Sequence, residues 1–184
     1  MSCEYLIASL PALSFGDKPP ISEAALLDAA EGKVPASVIA TMRALLSGAE
    51  DHDPYAVAWR QAETQLRNAV AGARAARLGM QADEAARWKR PHTGPWRVSI
   101  EEGVAAAFAQ PGPMERHQAL QRLRWDLAGE LAGLSPFSPE ALFAYAVRLG
   151  ILAELSKSDP EAGLARLRAL AETKTGQQTS GQTT

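Results

Sequence analysis

Three histidines, His52, His92 and His117, stand far apart in a chain of 184 residues. No His-Glu-x-x-His spacing sets two imidazoles on one helical face, so a zinc site of that kind has no local framework. His52 lies between Asp51 and Asp53, but adjacent side chains diverge unless a loop is organised around an ion. That run reads instead as the cap of the next helix. The one cysteine, Cys3, excludes a disulfide or a cysteine cluster within the chain, and its place beside the first Met offers no activating surroundings. Carboxylates pair at Glu101-Glu102 and at Asp126 with Glu130. The second pair lies one helical turn apart and would suit acid–base work in a cleft, yet Arg122, four residues before Asp126, makes it a surface ion pair. No glycine-rich loop ends in Lys-Ser or Lys-Thr, and no GxGxxG follows a strand, so no phosphate cradle is expected. These residues predict no catalysis, no cofactor and no metal.

The strongest charge feature is basic. Arg60, Arg67 and Arg74 recur every seven residues, Arg77 stands a turn further on, and Arg87-Trp88-Lys89-Arg90 comes next, against only Glu63, Asp83 and Glu84. Arginines on a rigid helix beside aromatic rings can clamp an acidic helix or track phosphates; alternatively their stems cover apolar surface beside a core seam. Arg60 and Arg67 read as the second kind. Trp59 reads as core, whereas Trp88 and Trp96 flank a Pro-Gly break and suit interface anchors. The candidate partner-binding set is therefore Arg74, Arg77, Arg87, Trp88, Arg90 and Trp96. A net charge of -2 and a pI near 5.9 give no global attraction to nucleic acid or to an anionic membrane surface.

The elements that must position these residues are helices. Apolar residues make up 46% of the chain but aromatics only 6%, and the Ala, Leu, Arg and Glu that dominate are strong helix formers. Residues 4–10 form a short helix or an extended strand before Pro11, Gly16, Pro19 and Pro20. Ser22 caps a short helix stopped at Gly32; Pro35 begins another, with Val38, Met42, Leu45 and Leu46 on one face, ended by Gly48. Asp53-Pro54 opens the long helix, whose seam runs through Tyr55, Trp59, Ala62, Leu66, Ala69 and Ala73 to about residue 79 and resumes towards residue 90. Residues 91–98 read as a hinge. Ser99-Ile100-Glu101-Glu102 has the form of a capping box. Leu120, Leu123, Leu127, Leu131 and Leu134 form a second seam, and Ser138-Pro139-Glu140 and Asp159-Pro160-Glu161 open two more helices. Pro20-Ile21-Ser22 with Ala25-Leu26-Leu27 matches Pro136-Phe137-Ser138 with Ala141-Leu142-Phe143, as two capped helix starts or as an internal duplication. The tail 174–184 has no apolar residue and is expected to be disordered. The expected fold is an all-α bundle of about seven helices in two packed lobes, residues 1–90 and 99–173. The N-terminus lacks a basic start and its apolar run is broken by Pro11, so neither a signal peptide nor a membrane span is expected, and the cytoplasm is the expected setting.

Tyr5-Leu6-Ile7-Ala8-Ser9-Leu10-Pro11-Ala12-Leu13 with Gly16-Asp17 and Pro19-Pro20, Leu66-Arg67-Asn68, Arg74-Ala75-Ala76-Arg77, Leu123-Arg124-Trp125-Asp126, and Pro136-Phe137-Ser138 through Tyr145 and Leu149 resemble a family of short bacterial proteins. That family is encoded among subunits of bacterial vacuolar/archaeal-type ATPases and is distantly similar to the C subunit, called d in eukaryotes, the helical funnel between rotor stalk and membrane ring. The resemblance implies a non-enzymatic coupling or assembly role in a rotary ATPase, with other subunits as partners on the cytoplasmic face of the membrane. That subunit is about twice as long and three-lobed, so this chain holds only part of such an architecture. The alternative reading is a stand-alone helical module that binds an acidic protein through the Arg/Trp face.

Overall fold

Eight helices form among residues 3–157, the part of the chain that the computed structural model describes, and most of their ends fall on the stop and start signals of the sequence. The first segment is helical: α1 spans Cys3–Ser9 and buries Cys3 and Leu6. Helix α2, Glu23–Ala30, begins where the Ser22 hydroxyl accepts the amide N–H of Ala25, one of the donors that a helix start leaves unpaired. Helix α3, Ala36–Ser47, ends at Gly48, whose φ of 72° is a left-handed conformation natural to glycine. Helix α4, Pro54–Arg77, starts with Asp53 accepting from the Tyr55 amide, and a proline in its first turn, where the missing N–H costs nothing. A short α5, Ala82–Ala86, comes next; then α6, Val98–Phe108, α7, Pro113–Ala132, and α8, Pro139–Lys157, the last opened by Ser138 accepting from Ala141 N–H. The two similar Pro-x-Ser segments thus act alike as caps. No strand occurs among the described residues.

Two sequence expectations fail locally. Ser99 lies inside α6, which starts at Val98 with Arg97 at its cap position and no side-chain cap, so the capping box does not form. Glu101 instead lies within 3.4 Å of Gln65, and packing on α4 sets this helix start. Leu134 falls beyond the end of α7 and is fully exposed, because Gly133 turns the chain at a φ of 70° before the seam can continue. The buried face of α7 is Gln121, Trp125, Leu127 and Ala128. The helix expected after Asp159-Pro160 and the tail 174–184 lie outside the described residues.

Helix α8 is the hub. Leu142, Phe143, Ala146, Leu149, Ile151 and Leu152 are buried around most of its circumference, as expected of a helix without a wide polar face. It packs against α7 and α3, with α2 and α1 closing further sides, while α6 bridges α4 and α7. The α4 seam joins the same core: Tyr55, Trp59, Ala62 and Leu66 are buried, with Ala69 and Ala73 packed at its edge. Residues on both sides of 91–98 therefore contribute to one apolar cluster. Close approach between α6 and α7 depends on Gly103, where an added Cβ would lie 2.7 Å from Leu123.

Candidate functional site

Helix α4 presents two further stripes beside its core face. At 100° per residue, Gln61, Gln65 and Asn68 fall on one line, and Arg60, Arg67 and Arg74 on another. The carboxamide line is occupied by the segment between α5 and α6. Asn68 receives the backbone N–H of Arg90 and donates to its carbonyl, both at 2.8 Å. Gln65, fully buried, does the same for Arg97, at 3.0 and 2.8 Å. Gln61 accepts from the amides of Thr93 and Gly94 and donates to the Thr93 hydroxyl. Each carboxamide thus substitutes for a strand neighbour, satisfying backbone groups that a proline-broken loop cannot pair with itself. Gly94 is where the loop runs closest: an added Cβ would lie 2.7 Å from the Gln61 Cβ. Segment 91–98, read from sequence as a hinge, is a loop clamped to α4.

The clamps fix what the loop exposes. Arg90 and Arg97 are held within one turn of each other along α4; Trp88 stands two residues before the first anchor and Trp96 immediately before the second. Trp88 is 70% and Trp96 63% exposed, and Val98 beside them is 61% exposed. Trp96 stacks edge-on against His92, with ring centroids 5.9 Å apart. Of the six residues expected to bind a partner, Arg87, Trp88 and Trp96 are solvent-exposed in and beside this loop. Arg74 is exposed but sits six residues beyond Asn68, about 120° around the helix. Arg77 lies over the Phe108 ring, 5.9 Å from its centroid, at the end of α6. The Arg90 backbone belongs to the clamped loop, while the residue lines a groove formed by α3, α4 and α8.

That groove is an open cavity of about 560 Å³ with a mainly polar, charged lining above small or buried residues such as Ala44, Ala56, Trp59 and Gly150. Helix α3 packs along α8 and touches α4 only lightly, which leaves the space open. At its inner wall Arg124 reaches from α7 and donates to Glu63 at 2.8 Å and to Glu154 at 3.1 Å, with its guanidinium 5.9 Å from the Trp59 ring centroid. Burial alone would lower the Arg124 pKa, but Glu63 and then Glu154 outweigh it and hold the guanidinium above its ordinary value. Arg60 pairs with Glu50 at 3.6 Å and donates to the Asp51 carbonyl at 3.0 Å. No local pattern in the sequence marks this charged network, because Arg124, Glu63 and Glu154 are far apart in the chain. The carboxamide ladder had a local signal, three amide residues at i, i+4 and i+7.

The remaining chemistry-bearing residues are dispersed. His52 is exposed, and it is Asp53 that caps α4, while Asp51 accepts from the amide of Asp53 at 2.7 Å. Cys3 is buried and unbonded. Arg122 pairs with Asp126 at 3.0 Å and Arg97 with Glu130 at 2.6 Å, so each carboxylate has a cation partner, although both line one open cleft at the α7–α8 corner. Among the described residues no group of three or more His, Cys, Asp and Glu is placed to hold a metal ion, and no helix is long and apolar enough to cross a membrane. Comparison with known proteins finds no matching family model, no matching curated protein and no matching solved structure.

Proposed function

We propose that the chain is a non-catalytic helical interaction protein that engages an acidic protein partner through the surface carrying Arg87, Trp88 and Trp96. The observation that carries this reading is the pair of outward-facing tryptophans on a loop whose backbone is anchored to α4 at Arg90 and Arg97. Exposed indoles on a mobile loop would lose entropy on binding; held on a clamped backbone they are pre-organised anchors. Arg87 and Lys89 supply positive charge, and neither makes an ion pair with a described residue. Acidic groups at the rim of a partner would raise the rate of encounter, while the indoles would supply buried area.

Subunits of a V/A-type rotary ATPase are the first partners to test, on the strength of the sequence resemblance alone. In that setting the chain is an accessory or C-like subunit on the cytoplasmic face, with a coupling or assembly role. Purification of the rotary complex from native membranes tests this assignment: the chain should co-purify in fixed ratio, and an intact, active complex that lacks it would exclude the assignment. The surface is tested separately with Arg87→Ala, Trp88→Ala and Trp96→Ala. These exposed positions should abolish partner binding with an unchanged melting temperature, and full binding by the triple variant would reject the surface.

A further inference from the structure

The groove between α3, α4 and α8 is lined by five cationic side chains, Arg60, Arg67, Arg90, Arg124 and Lys157, and by four carboxylates, Glu23, Glu50, Glu63 and Glu154. Arg67 comes four residues after Glu63 on α4, the spacing and order at which a Glu–Arg pair forms readily on a helix. Glu63 is not available to it, because its carboxylate is engaged by Arg124 at 2.8 Å. Glu154, across the groove on α8, is also engaged by Arg124, at 3.1 Å. Glu50 is taken by Arg60. Arg124 and Arg60 thus occupy three of the carboxylates of the groove, while Arg67 and Arg90 line the same cavity without an ion pair among the described residues.

Both arginines line this one cavity. Asn68, the residue after Arg67, grips both backbone groups of Arg90. Each guanidinium offers a planar fork of donors matched to an oxyanion. The cavity of about 560 Å³ is of the size that receives a small molecule, and its lining is mainly polar.

We propose that Arg67 and Arg90 form an oxyanion-binding site in the α3–α4–α8 groove, for a small organic ligand that carries a phosphate or carboxylate group. The site is independent of the Trp88–Trp96 surface, since neither arginine is needed for the contacts proposed there. Isothermal titration of the full-length chain with inorganic phosphate and, separately, with glutarate at matched ionic strength tests it. At least one probe should bind saturably, and Arg67→Ala and Arg90→Ala should each weaken it by about tenfold or more, as for loss of a charge-assisted contact. Arg43→Ala, an exposed change on α3 outside the groove, should bind as the parent does. Binding of phosphate alone assigns a phosphate ester; binding of glutarate, alone or with phosphate, assigns a carboxylate ligand. Failure of both probes to saturate, binding that survives both groove substitutions, or an equal loss in Arg43→Ala would overturn the site.

Discussion

Tyr55 shows how a single side chain can tie this fold to pH. Its hydroxyl is buried and donates to the Ala128 carbonyl at 2.9 Å, joining α4 to α7. Burial raises its pKa above the ordinary value of 10.0, only partly offset by Arg148. A phenol whose folded pKa exceeds its unfolded one keeps its proton in the native state, so its contribution is complete below pH 10.0 and is lost as pH rises beyond it. Denaturant midpoints at pH 8 and pH 11 should therefore differ more in the parent than in Tyr55→Phe, and equal differences would show that Tyr55 is not the group responsible. At neutral pH that variant should lose about 1 kcal/mol, the net value of one hydrogen bond. Arg124 makes a second residue-scale prediction. Its side chain is 22% exposed, between a surface ion pair and a buried one. Arg124→Met should cost about 2 kcal/mol by leaving the part-buried Glu63 without its ion-pair partner, and adding Glu63→Gln should recover part of that in the same chemical denaturation assay. Neither role was legible in the sequence, because both depend on which helices meet. Trp59 as core and Arg122 with Asp126 as a surface pair were legible, since helical periodicity and i,i+4 spacing are local.

At the scale of elements, helix ends were the most legible feature. Ser22, Asp53-Pro54, Ser138-Pro139 and Gly48 act through their own backbone neighbourhoods, and each does in the structure what its chemistry prescribes. Ser99 has equally good local credentials and fails, because α6 begins where Gln65 fixes Arg97 and not where a hydroxyl would cap it. The same tertiary override turns segment 91–98 from a break rich in proline into a clamped loop. Asn68→Ala removes both bonds to Arg90. Native-state hydrogen exchange should then show the Arg90 amide losing protection while the Ala128 region on α7 keeps it. Unchanged protection at Arg90 would mean that the clamp does not hold the loop. Gly94→Ala, which drives a methyl group into Gln61, should loosen the Thr93 and Gly94 amides in the same measurement.

For the whole molecule, α8 gathers α1, α2, α3 and α7 around one apolar cluster that α4 and α6 join through α7, and the all-α class was legible from composition and periodicity alone. What could not be read from the sequence is which polar surface this packing leaves outward. Of the basic residues singled out, packing sets Arg77 over Phe108, turns Arg90 to the groove, and leaves Arg87 with Trp88 and Trp96 facing solvent. An interaction role for that last surface is the central claim. It is tested most directly by placing a photo-crosslinking amino acid at position 88 or 96 of the full-length chain in its native cells, with the exposed α3 residue Ala40 as the control position. The expected result is one acidic protein crosslinked from both 88 and 96 and not from 40, and lost when Arg87 is reversed to Glu. No crosslinked protein from either tryptophan position, or the same products from position 40, would contradict it.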